Sequence, residues 1–153
     1  MIHARPAFTQ LHIPVAGAAA VRQLVSYINE LLKDGWLYFQ AGESTAAYRR
    51  EEIPRDTIIV TVSTDYAYYH QFEIAFHEVK QHWMPFNEIW PDAPGEPQLQ
   101  LQEEDDHFLF IMKNVNTGQQ YVVAATGISF YAGTVYYYKR DRLDKNERCA
   151  IWI

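Results

Sequence analysis

Val21, Leu24, Val25, Ile28, Leu31 and Leu32 recur at steps of three and four residues, and no other stretch of the chain keeps that spacing without a competing reading. The pattern predicts one amphipathic helix packed along a single apolar stripe. Arg22, Gln23, Asn29, Glu30 and Lys33 fall on its opposite side. Lys33 in the last turn and Gly35 just beyond it supply a C-terminal stop. A chain with one such helix must build most of its core from strands. Composition agrees: aromatic residues make up 15%, with 11 Tyr, 8 Phe and 4 Trp, and such side chains favour pleated, half-buried surfaces. The apolar share of 48% and charged share of 21% exclude a disordered chain. Residues 1–153 are read as one globular domain.

The strand signals follow in order. Residues 7–13 predict a short strand before Pro14 and Gly17, and residues 36–41 a second. Residues 42–56 are polar and predict an exposed loop or short helix. Residues 57–62 are β-branched throughout, which stiffens the side chains and argues strand. Residues 85–97 hold four prolines and a glycine among Phe86, Ile89 and Trp90, and predict an irregular but packed segment. Beyond it, residues 98–102, 107–113, 119–126 and 128–138 read as strands. Glu103-Glu104-Asp105-Asp106 and Asn114 to Gly118 read as turns, and Gly133 as a bend or bulge. After a mixed-charge segment at 140–148, residues 149–153 predict a closing strand. The expected class is α+β: an N-terminal strand and one amphipathic helix packed on a twisted, mostly antiparallel sheet.

Residues 66–83 carry two periods at once. Tyr66, Tyr68, Phe72, Ile74 and Phe76 alternate as in a strand, while Tyr69, Phe72, Phe76, Val79 and Trp83 keep helical spacing. Tyr, Phe and Ile form strands better than helices, so strand is the reading preferred, in a hairpin with 57–62 that turns near Ser63-Thr64-Asp65. The choice decides a chemical question. On a helix, His70, Glu73 and His77 would share one stripe within reach of a metal ion. On a strand, Glu73 and His77 stand roughly 13 Å apart and His70 points the other way. The strand therefore predicts histidines on a polar face, with no metal and no cofactor. The alternative is a small-ligand or metal-binding enzyme with a pocket lined by Tyr66, Tyr68, Tyr69, His70 and His77.

Other chemistry finds little footing. Trp90-Pro91-Asp92 resembles the acid-loop tripeptide of protein tyrosine phosphatases. That chemistry needs a thiolate in a phosphate-cradling loop, and the only cysteine, Cys149, has four residues after it. The tripeptide is read as a turn, and Cys149 as a small buried hydrophobe. The glycines are scattered, so no nucleotide-binding fingerprint exists. Ser26, Ser44, Ser63 and Ser129 sit in no nucleophile-elbow context, although a serine–histidine pair can still assemble in space. A single cysteine and no Asn-X-Ser/Thr acceptor point to a reducing, cytoplasmic setting. Residues 13–20 imitate a signal peptide only in outline, broken by His12 and Pro14, and no apolar run has bilayer length.

Charge is segregated along the chain. Between Lys80 and Lys113 there is no Lys or Arg, and seven acids: Glu88, Asp92, Glu96, Glu103, Glu104, Asp105 and Asp106. The formal net charge is −6, so this window holds all the excess. A solvated acidic loop needs no function and explains the same residues. The functional reading is an acidic, aromatic-rich surface of Trp83, Glu88, Trp90, Asp92 and Glu103 to Asp106 that docks a basic protein partner. Its sharpest form is a toxin-neutralising protein of the immunity type. Such a surface repels nucleic acid.

Overall fold

The computed structural model describes residues 13–33, 37–41, 56–64, 69–82, 89–116, 118–136 and 148–149. Along the chain these form β1 (Ile13–Ala16), α1 (Ala18–Leu32), β2 (Leu37–Ala41), β3 (Ile58–Ser63), β4 (Tyr69–His77), β5 (Gln81–His82), β6 (Ile89–Gly95), β7 (Pro97–Glu103), β8 (Phe108–Asn114), β9 (Gln120–Ala125), β10 (Gly127–Tyr136) and β11 (Arg148–Cys149). The class is α+β with antiparallel pairing. The strands divide into two sheets: a larger one ordered β1-β10-β4-β3-β2-β6, with β11 also on β10, and a smaller one ordered β5-β9-β8-β7.

Helix α1 begins after Gly17, whose φ of 89° turns the chain out of β1. No side chain caps its N-terminus and no acid lies in its first turn. Its stability therefore comes from packing. Val21, Leu24, Val25, Ile28 and Leu32 are buried, and each contributes roughly 1.5–3 kcal/mol on leaving water. Leu31, expected on the same stripe, sits at its margin and is 37% exposed. Asn29 gives the helix its register on the smaller sheet. Its Nδ2 donates to the Leu99 carbonyl at 2.7 Å, and its Oδ1 accepts from the Leu99 N–H at 2.8 Å. The amide acts as a one-residue strand on the open edge of β7, an edge that would otherwise invite pairing with another chain. Replacing Asn29 with Ala should cost about 1–3 kcal/mol; a urea midpoint unchanged from wild type would show that water serves the Leu99 backbone equally well.

Strand β4 settles the helix–strand conflict at 66–83 as preferred, at least over Tyr69–His77: it pairs with β3 from Ile58↔Phe76 to Val62↔Phe72. Tertiary pairing on both flanks suits its Tyr, Phe and Ile residues. The segment at 85–97 departs from expectation. Ile89–Gly95, including Trp90-Pro91-Asp92, is a strand rather than an irregular run or turn. Two features permit its prolines. Among the described residues, strand β6 is the outermost strand of the larger sheet, paired with β2, and edge positions do not need every N–H. Its register also jumps from Phe39↔Trp90 to Leu37↔Gly95, so Pro91 and Pro94 fall where the ladder is interrupted. Strand β1 at Ile13–Ala16 includes the last residue of the strand expected at 7–13; residues 7–12 are outside the described set, as are 42–55 and 150–153.

The core lies between the apolar face of the larger sheet, the helix and the smaller sheet. Val60, Val62, Ile74, Phe76, Ile128 and Phe130 face Phe110, Met112, Val123 and Ala125 with Leu24, Ile28 and Leu32. Phe76 of β4 meets Phe110 of β8 at 5.0 Å between ring centroids, joining the sheets. Phe130 stacks on Phe72 at 5.6 Å and makes a T-shaped contact with Tyr27 at 6.1 Å.

Candidate functional site

The four acids at 103–106 lie at the tip of the β7–β8 hairpin, and all four are exposed. The turn closes through the Glu104 N–H donating to the His107 carbonyl at 3.0 Å. Its side chains are tied down from both ends. Arg22 of α1 holds Glu103 at 2.7 Å, and Lys80 holds Asp106 at 2.8 Å. His107 Nδ1 also lies 2.6 Å from Asp106, and the Gln102 amide donates to Glu104 at 2.6 Å. Hydrogen bonds from Lys80 and then His107, with the Lys80 charge, hold the Asp106 carboxyl down at about 2. The charge segregation read along the chain is thus softened in space, because Arg22 and Lys80 reach the tip from outside the acidic window.

The fold also adds carboxylates that the sequence does not group. Between β4 and β5 the chain crosses from the larger sheet to the smaller one, and at Thr126 it crosses back. The crossings are stitched together. The Thr126 N–H donates to the His77 carbonyl at 3.0 Å, Lys80 N–H to Ala124 at 2.8 Å, and Val79 N–H to Asp56 at 2.8 Å. The Thr126 hydroxyl donates to Glu78 at 2.7 Å. Glu78 adopts a φ of 51°, a left-handed conformation that costs a non-glycine residue of order 1–3 kcal/mol. Since Lys80 reaches the hairpin tip, Asp56 and Glu78 lie at the same end as Glu103 to Asp106. Among the described residues, six exposed carboxylates there face two exposed cations, Arg22 and Lys80.

Glu96 is half-buried at the opposite end of β7, roughly 20 Å from the tip by strand rise. Trp83 and Glu88 lie outside the described residues. Trp90 and Asp92 belong to β6, and only their backbone is described.

A second polar grouping lies on the other face of the larger sheet. Thr61, Ser63, His70, Gln71, Glu73 and Ser129 are all buried. His70 Nε2 lies 2.8 Å from Glu73 Oε1, both fully buried. Strict alternation would have pointed His70 away, and the structure corrects that expectation. Phe72 pairs with Ala132 but His70 with Val135, so β10 carries one extra residue around Gly133. Such a bulge increases the local twist of the ladder beside His70. Gln71 accepts from the Thr64 N–H at 3.1 Å. His77 does not join the pair; its Nε2 lies 2.5 Å from Ser129 Oγ on β10. Burial lowers the pKa of His77 below 6.5, opposed by the nearby charges of Asp56 and Glu78. Among the described residues, no three His, Cys, Asp or Glu side chains are placed to hold a metal ion. Of the pocket residues considered with them, Tyr66 and Tyr68 are outside the described set, and only the backbone of Tyr69 is described.

The His77 shift has a pH consequence. The ring titrates at 6.5 when unfolded and lower when folded, so its contribution is complete above pH 6.5 and fades as pH falls towards the folded value. Urea midpoints measured between about pH 8 and pH 5 should decline less steeply in His77→Gln than in wild type. Parallel declines would assign the acid sensitivity to other groups.

No helix among the described residues is long and apolar enough to cross a membrane. The chain matches no protein-family model, no curated protein and no solved structure.

Proposed function

We propose that the chain is a non-enzymatic protein-binding module that docks a basic partner at its acidic end. The observation that carries this reading is the gathering of Asp56, Glu78 and Glu103 to Asp106 from three parts of the chain onto one end, with Arg22 and Lys80 as the balancing cations. Opposite potentials accelerate association and reject partners of like charge. The ties on Glu103 and Asp106 favour binding in a second way: a turn already fixed loses less freedom when a partner arrives. Glu104 and Asp105 are then the carboxylates presented outward. In its sharpest form the partner is a toxin with a basic active site, covered and neutralised by this end in the cytoplasm.

Affinity capture from the native host at two salt concentrations tests the reading. The expected result is a basic protein retained at low salt, weakened at high salt, and lost with Glu104→Lys/Asp105→Lys. That substitution removes the exposed Gln102–Glu104 hydrogen bond but leaves the Arg22–Glu103 and Lys80–Asp106 pairs in place, so the fold is expected to be preserved. Undiminished capture by the double variant would put the interface elsewhere.

A further inference from the structure

We infer that the outer face of the smaller sheet is a self-association surface, on which a second copy of this chain packs face to face. Phe108, Phe110 and Met112 of β8 turn inward to the core. Alternation along the strand therefore turns Leu109, Ile111 and Lys113 outward. Ile111 is paired with Val122 of β9, which also faces outward, and with Gln100 of β7. Helix α1 and the larger sheet lie against the opposite face. An antiparallel sheet with one face in water ordinarily sets polar residues on it; here Leu109, Ile111 and Val122 form one half-buried apolar block instead. Its rim on β7 is Gln98, Gln100 and Gln102, uncharged, with the Gln100 amide donating to Gln98 at 3.2 Å. An apolar centre inside a neutral polar rim is the anatomy of a protein interface.

Two ions identify the occupant. Among the described residues, Lys113 has no carboxylate partner, whereas Arg22 and Lys80 are both paired. Glu104, just past the other end of the block, is drawn to this face by the Gln102 amide at 2.6 Å. Lys113 and Glu104 stand roughly 20 Å apart by strand rise, with Ile111 and Leu109 at the two steps between them. A two-fold axis through the midpoint, perpendicular to the sheet, sets Lys113 of each copy opposite Glu104 of the other. The same axis sets Leu109 of each copy over Ile111 of the other, so every contact is made twice, as an isologous dimer requires. A uniformly basic partner would meet Lys113 with like charge; a second copy brings a carboxylate to it. The footprint, roughly 20 Å by 15 Å over three strands, is small for an interface, so the dimer is weak and reversible. Of the acidic end it uses Glu104, and the other carboxylates there remain for the basic partner proposed above.

Sedimentation equilibrium of the full chain alone, from about 1 μM to about 1 mM, is the test. The expected result is a monomer that converts to a dimer across that range. Ile111→Ser should raise the dissociation constant about tenfold or more with the thermal midpoint near that of wild type. Lys113→Glu should weaken the dimer as well, and Lys113→Glu/Glu104→Lys should restore it. That rescue reads the same contact from surface positions should Ile111→Ser not fold. A monomer at every concentration overturns the inference, as does a dimer indifferent to Ile111→Ser and Lys113→Glu, or a charge reversal that Glu104→Lys fails to rescue. A monomer whose capture of a basic protein is lost with Ile111→Ser would also overturn it and give the face to that protein.

Discussion

Replacing His70 with Leu is expected to remove about 3–5 kcal/mol of folding stability, among the largest effects of any single substitution in this chain. His70 and Glu73 are both fully buried and 2.8 Å apart on the same strand. Bringing two polar groups out of water is costly, and their mutual contact only recovers that cost. Removing the imidazole takes from the buried Glu73 carboxyl a hydrogen bond that water cannot replace there. The pair is therefore costly to break and modest in net value, which gives a sharper expectation: His70→Leu/Glu73→Leu should regain most of the loss. Urea denaturation of wild type, both single variants and the double variant measures the coupling between the residues. If the double variant is less stable than His70→Leu, the two side chains do not act as a unit.

Replacing Phe110 with Ala should cost a comparable amount, about 3–5 kcal/mol, for a different reason. Phe110 is fully buried. It lies 5.0 Å from Phe76 of the larger sheet and 5.9 Å from Phe108 of its own strand. It is thus a contact through which the sheets hold each other, and its loss opens a cavity between two layers that cannot easily close. Val115, 49% exposed in the turn after β8, is the matched control, and Val115→Ala should change stability by less than about 0.5 kcal/mol. Thermal or urea unfolding separates the two; near-equal losses would mean that the layers are held elsewhere.

Those elements that announce themselves by local pattern were readable from the residues. The stripe from Val21 to Leu32 gave α1, and the β-branched run at 57–62 gave β3. The alternation around Leu99 gave β7, and Gly133 fell at the β10 bulge. What escaped depended on placement in the sheet. Strand β6 was hidden because prolines argue against a strand until its edge position is known. The division into two sheets depends on crossings at 78–80 and 126 that no periodicity marks. The His70–Glu73 contact joins residues three apart on β4, beside a bulge in the neighbouring strand, whereas strict alternation along β4 pointed them to opposite faces.

The candidate surface shows the same limit more strongly. The acids at 103–106 were legible as a run, because four consecutive acids between two apolar alternating segments form a turn. Asp56 and Glu78 were not, since only the β4–β5 crossing brings them to that end. The cations were misjudged as well. Arg22 and Lys80 fall outside the acidic window in sequence yet contact it in space, so the end is less negative than a linear count implies. His77 and Ser129 are 52 residues apart, and their contact is a property of β4–β10 register alone.

Electrostatic docking at the acidic end is tested most directly by the association rate constant of the captured partner, followed across ionic strength. Steering by opposite charge predicts a rate that falls steeply as salt rises for wild type, and a slower, flatter dependence for Glu104→Lys/Asp105→Lys. Identical salt dependences for the two proteins would contradict it.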